Sequence, residues 1–244
     1  MPARALMQPP LLAFDTATEC TSIALAAHGR VWQHEGEGGA RASGTFLPAV
    51  LALLDEAGVG VADLDAIAFG RGPGAFTGLR VACSVAQGLA FGAGKPVLPI
   101  DTLLAIAEDA RAGAGSISVW SVMDARIDEI YAAEYAFDAA GWTVRTAPTL
   151  TTPDLLNRVW QVAEPKVVAG NALGAFGDRL VTAGARRLPT AAPHAVGMLR
   201  LAAALRAAGG AVDPALALPL YVRDKVAETS AERAARAALA SRAA

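Results

Sequence analysis

Gly70-Arg71-Gly72-Pro73-Gly74-Ala75-Phe76-Thr77-Gly78-Leu79-Arg80 is the stretch on which the reading of this chain turns. The apolar run Ala66-Ile67-Ala68-Phe69 before it reads as a buried strand, and residues 79–91 after it read as a long apolar helix. Glycine permits positive φ and lets another group come close. A glycine-rich turn that feeds a helix leaves unpaired N–H groups at the positive end of the helix dipole. That is the architecture of a phosphate or anion site. It is equally the architecture of a tight strand-to-helix turn that binds nothing. The cofactor-binding candidates on the first reading are Gly72 and Gly74, together with Asp15 at the end of the first strand.

The familiar nucleotide motifs fit poorly. A Walker loop ends in Gly-Lys-Ser/Thr, and here Gly94-Lys95 precedes Pro96. The spacing Gly70-x-Gly72-x-x-Ala75 imitates a dinucleotide fingerprint, but Pro73 interrupts it and no acid follows about 20 residues on.

Composition narrows the function classes. The 244 residues suffice for one large domain or two smaller ones, and 54% hydrophobic content supplies a sizeable core. A formal net charge of −2 lacks the basic footprint of a stand-alone nucleic-acid binder. Two distant cysteines, Cys20 and Cys83, give neither a disulfide framework nor a zinc spacing, and both are expected to be buried thiols. Residues 1–10 lack the apolar core of a signal peptide, and no apolar run approaches the roughly 18 residues of a membrane span. A cytoplasmic protein without a membrane segment is the expectation.

Working outward from the glycine run, 11–15 reads as a buried strand ending in an acid, 21–26 as its hairpin partner and 31–33 as the start of a third strand. Leu47, Val50, Leu51 and Leu54 lie at helical spacing in a helix over 46–57 that Gly58 ends. The helix over 77–92 is apolar nearly all round, so it must be covered on more than one side, by its own chain or by a partner. A strand over 97–100 and a helix over 102–110, capped by Asp101 or Thr102, complete the first half. After a Gly/Ser boundary at 113–116, strands at 117–124, 129–137 and 141–144 repeat the pattern more weakly. A helix over 154–162, a strand over 166–169, a turn over 170–174 and a helix over 195–208 follow. The fold class is α/β. Strand, hairpin, hairpin, helix is the opening of an actin-like (ASKHA, ribonuclease-H-like) half-domain. The expected division is an N-terminal lobe over 1–112, a smaller C-terminal lobe over 113–217, and a terminal segment over 218–244. That segment is expected to return to the first lobe and to end in a disordered Ala/Arg-rich tail.

Five runs, in order, resemble the TsaB (YeaZ) family: Phe14-Asp15-Thr16-Ala17-Thr18; the glycine run with Phe69 before it; Ala86-Gln87-Gly88-Leu89-Ala90; Asp124-Ala125-Arg126 with Glu129-Ile130-Tyr131; and Pro219-Leu220-Tyr221-Val222-Arg223. The resemblance covers about residues 11 to 225. It implies a two-lobed actin-like fold and a part in making threonylcarbamoyl-adenosine (t6A) in tRNA. It further implies a non-catalytic partner of the transferase TsaD, with the ATPase TsaE in a larger complex and tRNA met only through that complex. Family members pair with TsaD or with a second copy of themselves through two helices of the first lobe, here 46–57 and 79–91. Phe46, Val50, Leu54, Val81, Val85 and Leu89 are the interface residues expected on those helices.

The residues themselves fit a degenerate enzyme. His28, His34 and His194 include no i, i+4 pair of the kind that places two imidazoles on one metal, and they read as exposed loop residues. Arg41-Ala42-Ser43-Gly44 stands where many relatives carry a histidine before the first helix. An actin-like nucleotide site needs a phosphate loop from each lobe and an acid for magnesium. Asp15 with Thr16 and Thr18 could form the first, but the favoured reading of Asp15 is an Asx turn at the strand end. Met123-Asp124-Ala125-Arg126 lacks the Gly and Thr donors of the second, and reads as a hairpin ion pair or a partner contact. Ser22, Ser84 and Cys83 carry no signature of an activated nucleophile. No catalytic residue, metal or cofactor is therefore expected. A nucleotide-binding ATPase, or less plausibly a glycoprotease-like peptidase, is the alternative.

Overall fold

The strand Leu11–Asp15 (β1) is buried along its whole length, and the first lobe is assembled around it. The computed structural model describes residues 9–38, 42–182 and 184–223. β1 pairs antiparallel with Cys20–Ala27 (β2), which pairs antiparallel with Arg30–Glu37 (β3). On its other side β1 runs parallel to Ala66–Gly72 (β4), and β4 parallel to Val97–Asp101 (β5). Successive side chains of a strand point to opposite faces. Leu12, Phe14, Ile23, Leu25, Ile67 and Phe69 thus share a face, which the helices Ala42–Glu56 (α1) and Phe76–Ala93 (α2) cover. Leu11, Ala13, Ala24, Ala66 and Ala68 share the other, which the last helix, Ala195–Ala207, covers.

Thr102–Arg111 (α3) passes from the first sheet to the second. Ile117–Arg126 (β6), Glu129–Asp138 (β7) and Gly141–Thr151 (β8) form an antiparallel meander. Pro153–Val162 (α4) leads to Val167–Ala169 (β9), parallel to β6, then to Ala172–Phe176 (α5) and the edge strand Arg186–Leu188 (β10). The sheet order is β10-β9-β6-β7-β8. α3 covers the face that carries Val119, Met123 and Tyr135. α4 and α5 cover the face that carries Trp120, Val122 and Ile130. The last helix is α6. This is the two-lobed α/β, actin-like architecture that the sequence implied.

Several boundaries differ from expectation. α1 starts at Ala42 and β4 continues through Gly72, so part of the glycine run is strand. The turn expected over 170–174 opens α5, and β10 was not anticipated. α6, from the second half of the chain, packs on the first sheet, and α3, from the first half, packs on the second. In the terminal segment Leu220 N donates to Arg71 O of the first sheet at 2.6 Å, while Val222 packs in the core of the second. The tail expectation lies outside the described residues. Among the described residues no helix is long and apolar enough to cross a membrane.

A buried charge ties the two lobes where they meet. Glu108 of α3, 2% exposed, accepts from Arg111 Nε and Nη2 at 3.0 Å each, from Arg200 Nε of α6 at 2.6 Å and from Trp142 Nε1 of β8 at 2.9 Å. Burial alone would raise its pKa; the hydrogen bonds from Arg111, Arg200 and Trp142 outweigh burial and hold the carboxyl below its ordinary range.

Asp15 is the second buried acid, 1% exposed at the end of β1. Ala17 N donates to its Oδ1 at 2.7 Å, an Asx turn, and Thr102 Oγ1 donates to its Oδ2 at 2.7 Å. Burial pushes the carboxyl up from 3.8 to about 6, against the pull of those two hydrogen bonds. Between the two values the folded chain holds a proton that the unfolded chain has released, so this group destabilises the fold as pH rises. Its stability contribution is greatest below about pH 4, falls through about pH 6 and is constant above, a loss on the order of 3 kcal/mol. Asp15→Asn can keep both contacts and cannot titrate. The difference in unfolding free energy between the two proteins, measured in urea from about pH 4 to about pH 7, is expected to shift in favour of the variant by that amount.

Candidate functional site in the interlobe cleft

The glycine run meets the β1–β2 turn at the mouth of the cleft. Gly72 has φ +112°, which only glycine adopts without strain, and the Gly72–Pro73 peptide is cis. α2 begins at Phe76 with Ala75 as an N-cap that offers no side-chain acceptor. Three other glycines are required by proximity. A Cβ on Gly70 would overlap the Asp15 carboxylate, one on Gly74 would overlap Ala17, and one on Gly78 would overlap the Thr16 carbonyl. Ala75 N donates to Ala17 O at 2.8 Å, and Thr16 Oγ1 donates to Gly78 O at 2.7 Å.

The β1–β2 turn therefore packs directly on the glycine run. The candidates Asp15 and Gly72 do not face the cleft. Asp15 lies behind the turn, against Gly70, and Gly72 lies beneath Leu220 O and the Leu79 side chain. Gly74 does line the cleft, but it is pressed onto Ala17.

Deeper between the lobes is a cavity of about 250 Å³, walled by the β1–β2 turn, the start of α2, the β6–β7 turn and residues 220–223. Its carboxylates are Glu19 and Asp124. Both pair with Arg126, Glu19 across the cleft and Asp124 within the hairpin at 3.2 Å. Asp124 Oδ1 also accepts from Arg126 N at 2.8 Å, and Asp124 N donates to Asn171 Oδ1 at 2.9 Å. The second arginine of the wall, Arg223, pairs with Glu129 at 2.7 Å. Every acid facing the cavity already has a cationic partner. The hairpin ion pair expected for Asp124 and Arg126 is present; its extension to Glu19 across the lobes had no sequence signal.

The other chemistry-bearing residues lie apart. Cys20 is exposed, contrary to expectation, because it opens β2 at the cleft end of the sheet. Cys83 is buried; its thiol donates to Ala217 O at 3.4 Å and burial pushes its pKa up, the opposite of an activated thiolate. Ser84 is exposed rather than in the core, and its hydroxyl bonds back to Arg80 O at 2.6 Å. His34 lies within β3 rather than in a loop. His194 precedes α6, with Nδ1 at 3.0 Å from Asp109 and Nε2 at 3.5 Å from Glu35.

The six expected interface residues divide into two groups. Phe46, Val50 and Leu54 are buried, and Phe46 meets Phe14 edge-on at 5.2 Å. These three anchor α1 to its own sheet and have no surface to offer, because they lie on the helix face turned inward. The surface residues of α1 are Leu47 and Leu51, 39% and 45% exposed. Val81, Val85 and Leu89 of α2 are half-buried at the edge of the first core, and Phe91 is 79% exposed.

The glycine contacts make a sharp prediction. Helix propensity alone favours alanine over glycine by up to about 1 kcal/mol anywhere inside α2. Gly88→Ala, with nothing within 4 Å of the new Cβ, is expected to stabilise by about that amount. Gly78→Ala is expected to destabilise by about 3 kcal/mol or more, because backbone rather than a flexible side chain stands in its way. Denaturant unfolding of the two variants checks the opposite signs.

Comparison with known proteins matches this geometry to a family. The family described as TsaD, tRNA N6-adenosine threonylcarbamoyltransferase, matches residues 40–159. The tRNA threonylcarbamoyladenosine biosynthesis protein TsaB of Escherichia coli (strain K12) is 35% identical over 221 residues, which are 89% of this chain and 96% of that protein. The protein of the same description from Haemophilus influenzae is 45% identical over 122 residues, 50% of this chain and 51% of that one. Among solved structures, YeaZ from Pseudomonas aeruginosa gives a TM-score of 0.79 at 37% identity, covering 88% of this chain and 100% of that chain. With identity of that order along nearly the whole of both chains, and with the same fold, this chain belongs to the TsaB (YeaZ) family.

Proposed function

We propose that this chain is a non-catalytic scaffold subunit in the making of t6A in tRNA, and that it holds a TsaD transferase through α1 and α2. TsaE joins the larger complex, tRNA is met only through it, and the assembly is cytoplasmic. The observation that carries the reading is an apolar face of these two adjacent helices that no other described residues cover. Leu47 and Leu51 on α1 and Phe91 on α2 are exposed. Val81, Val85 and Leu89, spaced i, i+4, i+8, form a half-buried ridge beside the exposed small residues Ser84, Gly88 and Gly92. Small residues along a ridge let a partner helix approach to about 8 Å. Covering each large apolar side chain contributes roughly 1.5–3 kcal/mol at most.

Two features support the non-catalytic part. Thr16 and Ala17 bond to the glycine run, and the cavity's acids pair with Arg126. A nucleotide would have to displace intrachain hydrogen bonds without gaining a free acid for magnesium.

Light scattering behind size exclusion, on this chain mixed with its cognate TsaD, is expected to give a one-to-one complex. Leu51→Glu and Gly88→Glu place charge on the outer face without disturbing the inner one, and are expected to weaken that complex at least about 100-fold. Undiminished binding by both variants would move the dock elsewhere. Failure to form any complex at micromolar concentration, with TsaE, nucleotide and tRNA present, would overturn the scaffold reading.

A further inference from the structure

The segment after α6 binds both lobes and closes the cleft between them. Its first half lies along α2. Ala217 is buried in the first core, its carbonyl accepts from Cys83 Sγ at 3.4 Å and from Gln87 Nε2 at 3.1 Å, and Pro214 O accepts from Gln87 Nε2 at 3.2 Å. Leu220 then crosses the glycine run, donating to Arg71 O at 2.6 Å. Tyr221 stacks at a tilt on Phe76 with ring centroids 5.5 Å apart, and its hydroxyl accepts from Arg80 Nε at 3.2 Å. The contacts on α2 thus fall at 76, 80, 83 and 87, one stripe of the helix at i, i+4, i+7, i+11.

Past Tyr221 the segment changes lobes. Val222 packs into the second core beside α3. Arg223 Nη2 donates to Ala125 O at 2.8 Å, and Arg223 Nη1 pairs with Glu129 at 2.7 Å. Arg223 is only 16% exposed, unlike the Arg126–Glu19 pair, whose side chains are 68% and 77% exposed. Exposed pairs contribute little, whereas a desolvated arginine that also satisfies a main-chain carbonyl contributes more. Leu220, Tyr221, Val222 and Arg223 are also the outer wall of the interlobe cavity.

We propose that residues 217–223 are a clasp, locked at one end by Arg223 on the β6–β7 hairpin. Opening that end releases the other end from α2, exposing the cleft and the Cys83 side of the helix in one movement. The inference does not depend on what α1 and α2 dock to. It treats the segment as a two-state element whose ends are coupled although Arg223 and Cys83 are on different lobes.

Cys83 supplies the readout, since Ala217 covers it and the chain's only other thiol is Cys20. In the full-length chain carrying Cys20→Ser, the rate at which a small aromatic disulfide reagent labels Cys83 reports clasp opening. Arg223→Ala is expected to speed labelling at least about tenfold, with a rate that hardly changes in urea well below the unfolding midpoint, as local opening requires. Glu129→Gln, which removes the charge and can keep an acceptor, is expected to have a smaller effect of the same sign. An unchanged rate in Arg223→Ala would overturn the proposal. So would a rise that merely tracks the loss of global stability and carries the full urea dependence of unfolding.

Discussion

Backbone meets backbone where the Thr16 carbonyl lies against the Cα of Gly78, and no side chain fits between them. That contact, with its neighbours at Gly70 and Gly74, sets where α2 leaves β4 and how it lies over the first sheet. It also decides the chemistry. The N–H groups of a glycine-rich turn are the attraction for phosphate. Here Ala75 N is satisfied by Ala17 O, and the Thr16 hydroxyl is satisfied by Gly78 O. Each such bond contributes only about 1 kcal/mol net, but exposing its partners inside a closed turn costs more than its formation gained. The glycine run thus holds two of its bonds with the β1–β2 turn of its own chain.

Closing the turn leaves the relation between the lobes to other contacts. α3 is the beam, because it is continuous with β5 of the first sheet and packs on the face of the second. Glu108 makes that beam specific. A buried carboxylate is costly unless its acceptors are filled, and these are filled from three elements: α3 itself, α6 and β8. Removing Arg200 or Trp142 would leave acceptors short of donors, so lobe geometry and charge satisfaction cannot vary independently. The segment over 217–223 adds a further tie, through Ala217, Leu220 and Tyr221 on the first lobe and Val222 and Arg223 on the second.

The first lobe was legible because its central strands are short, apolar and punctuated. Leu11–Asp15 and Ala66–Phe69 are continuous apolar runs, as a sheet covered on both faces requires, and the Gly58 stop falls close to the end of α1. The side chains pointing into the core were read less well. Phe46, Val50 and Leu54 read as partner-facing, yet they lie on the stripe that the helix's own sheet claims. Leu47 and Leu51, equally apolar in sequence, are the ones left outside. The mixing of halves across the lobes was not legible, because α6 is an Ala/Leu helix that would fit either sheet. Nor was the destination of Arg223. A single arginine near the end of the described chain carries no signal of which hairpin it will meet.

α2 was the hardest element to read because it serves four neighbours. Ala82, Ala86 and Ala90 face the sheet, α1 lies on one side, the clasp covers Phe76, Arg80, Cys83 and Gln87, and Val81, Val85 and Leu89 line the remaining side. A helix apolar all round certifies only that every side is covered at some time. Three of these coverings are internal. The fourth is where small and branched residues alternate without a covering element among the described residues. Separating the faces has a mechanical result. Contacts on different sides of one helix share no side-chain partner and couple only through movement of the helix axis. The glycine contact with Thr16 pins that axis at its first turn.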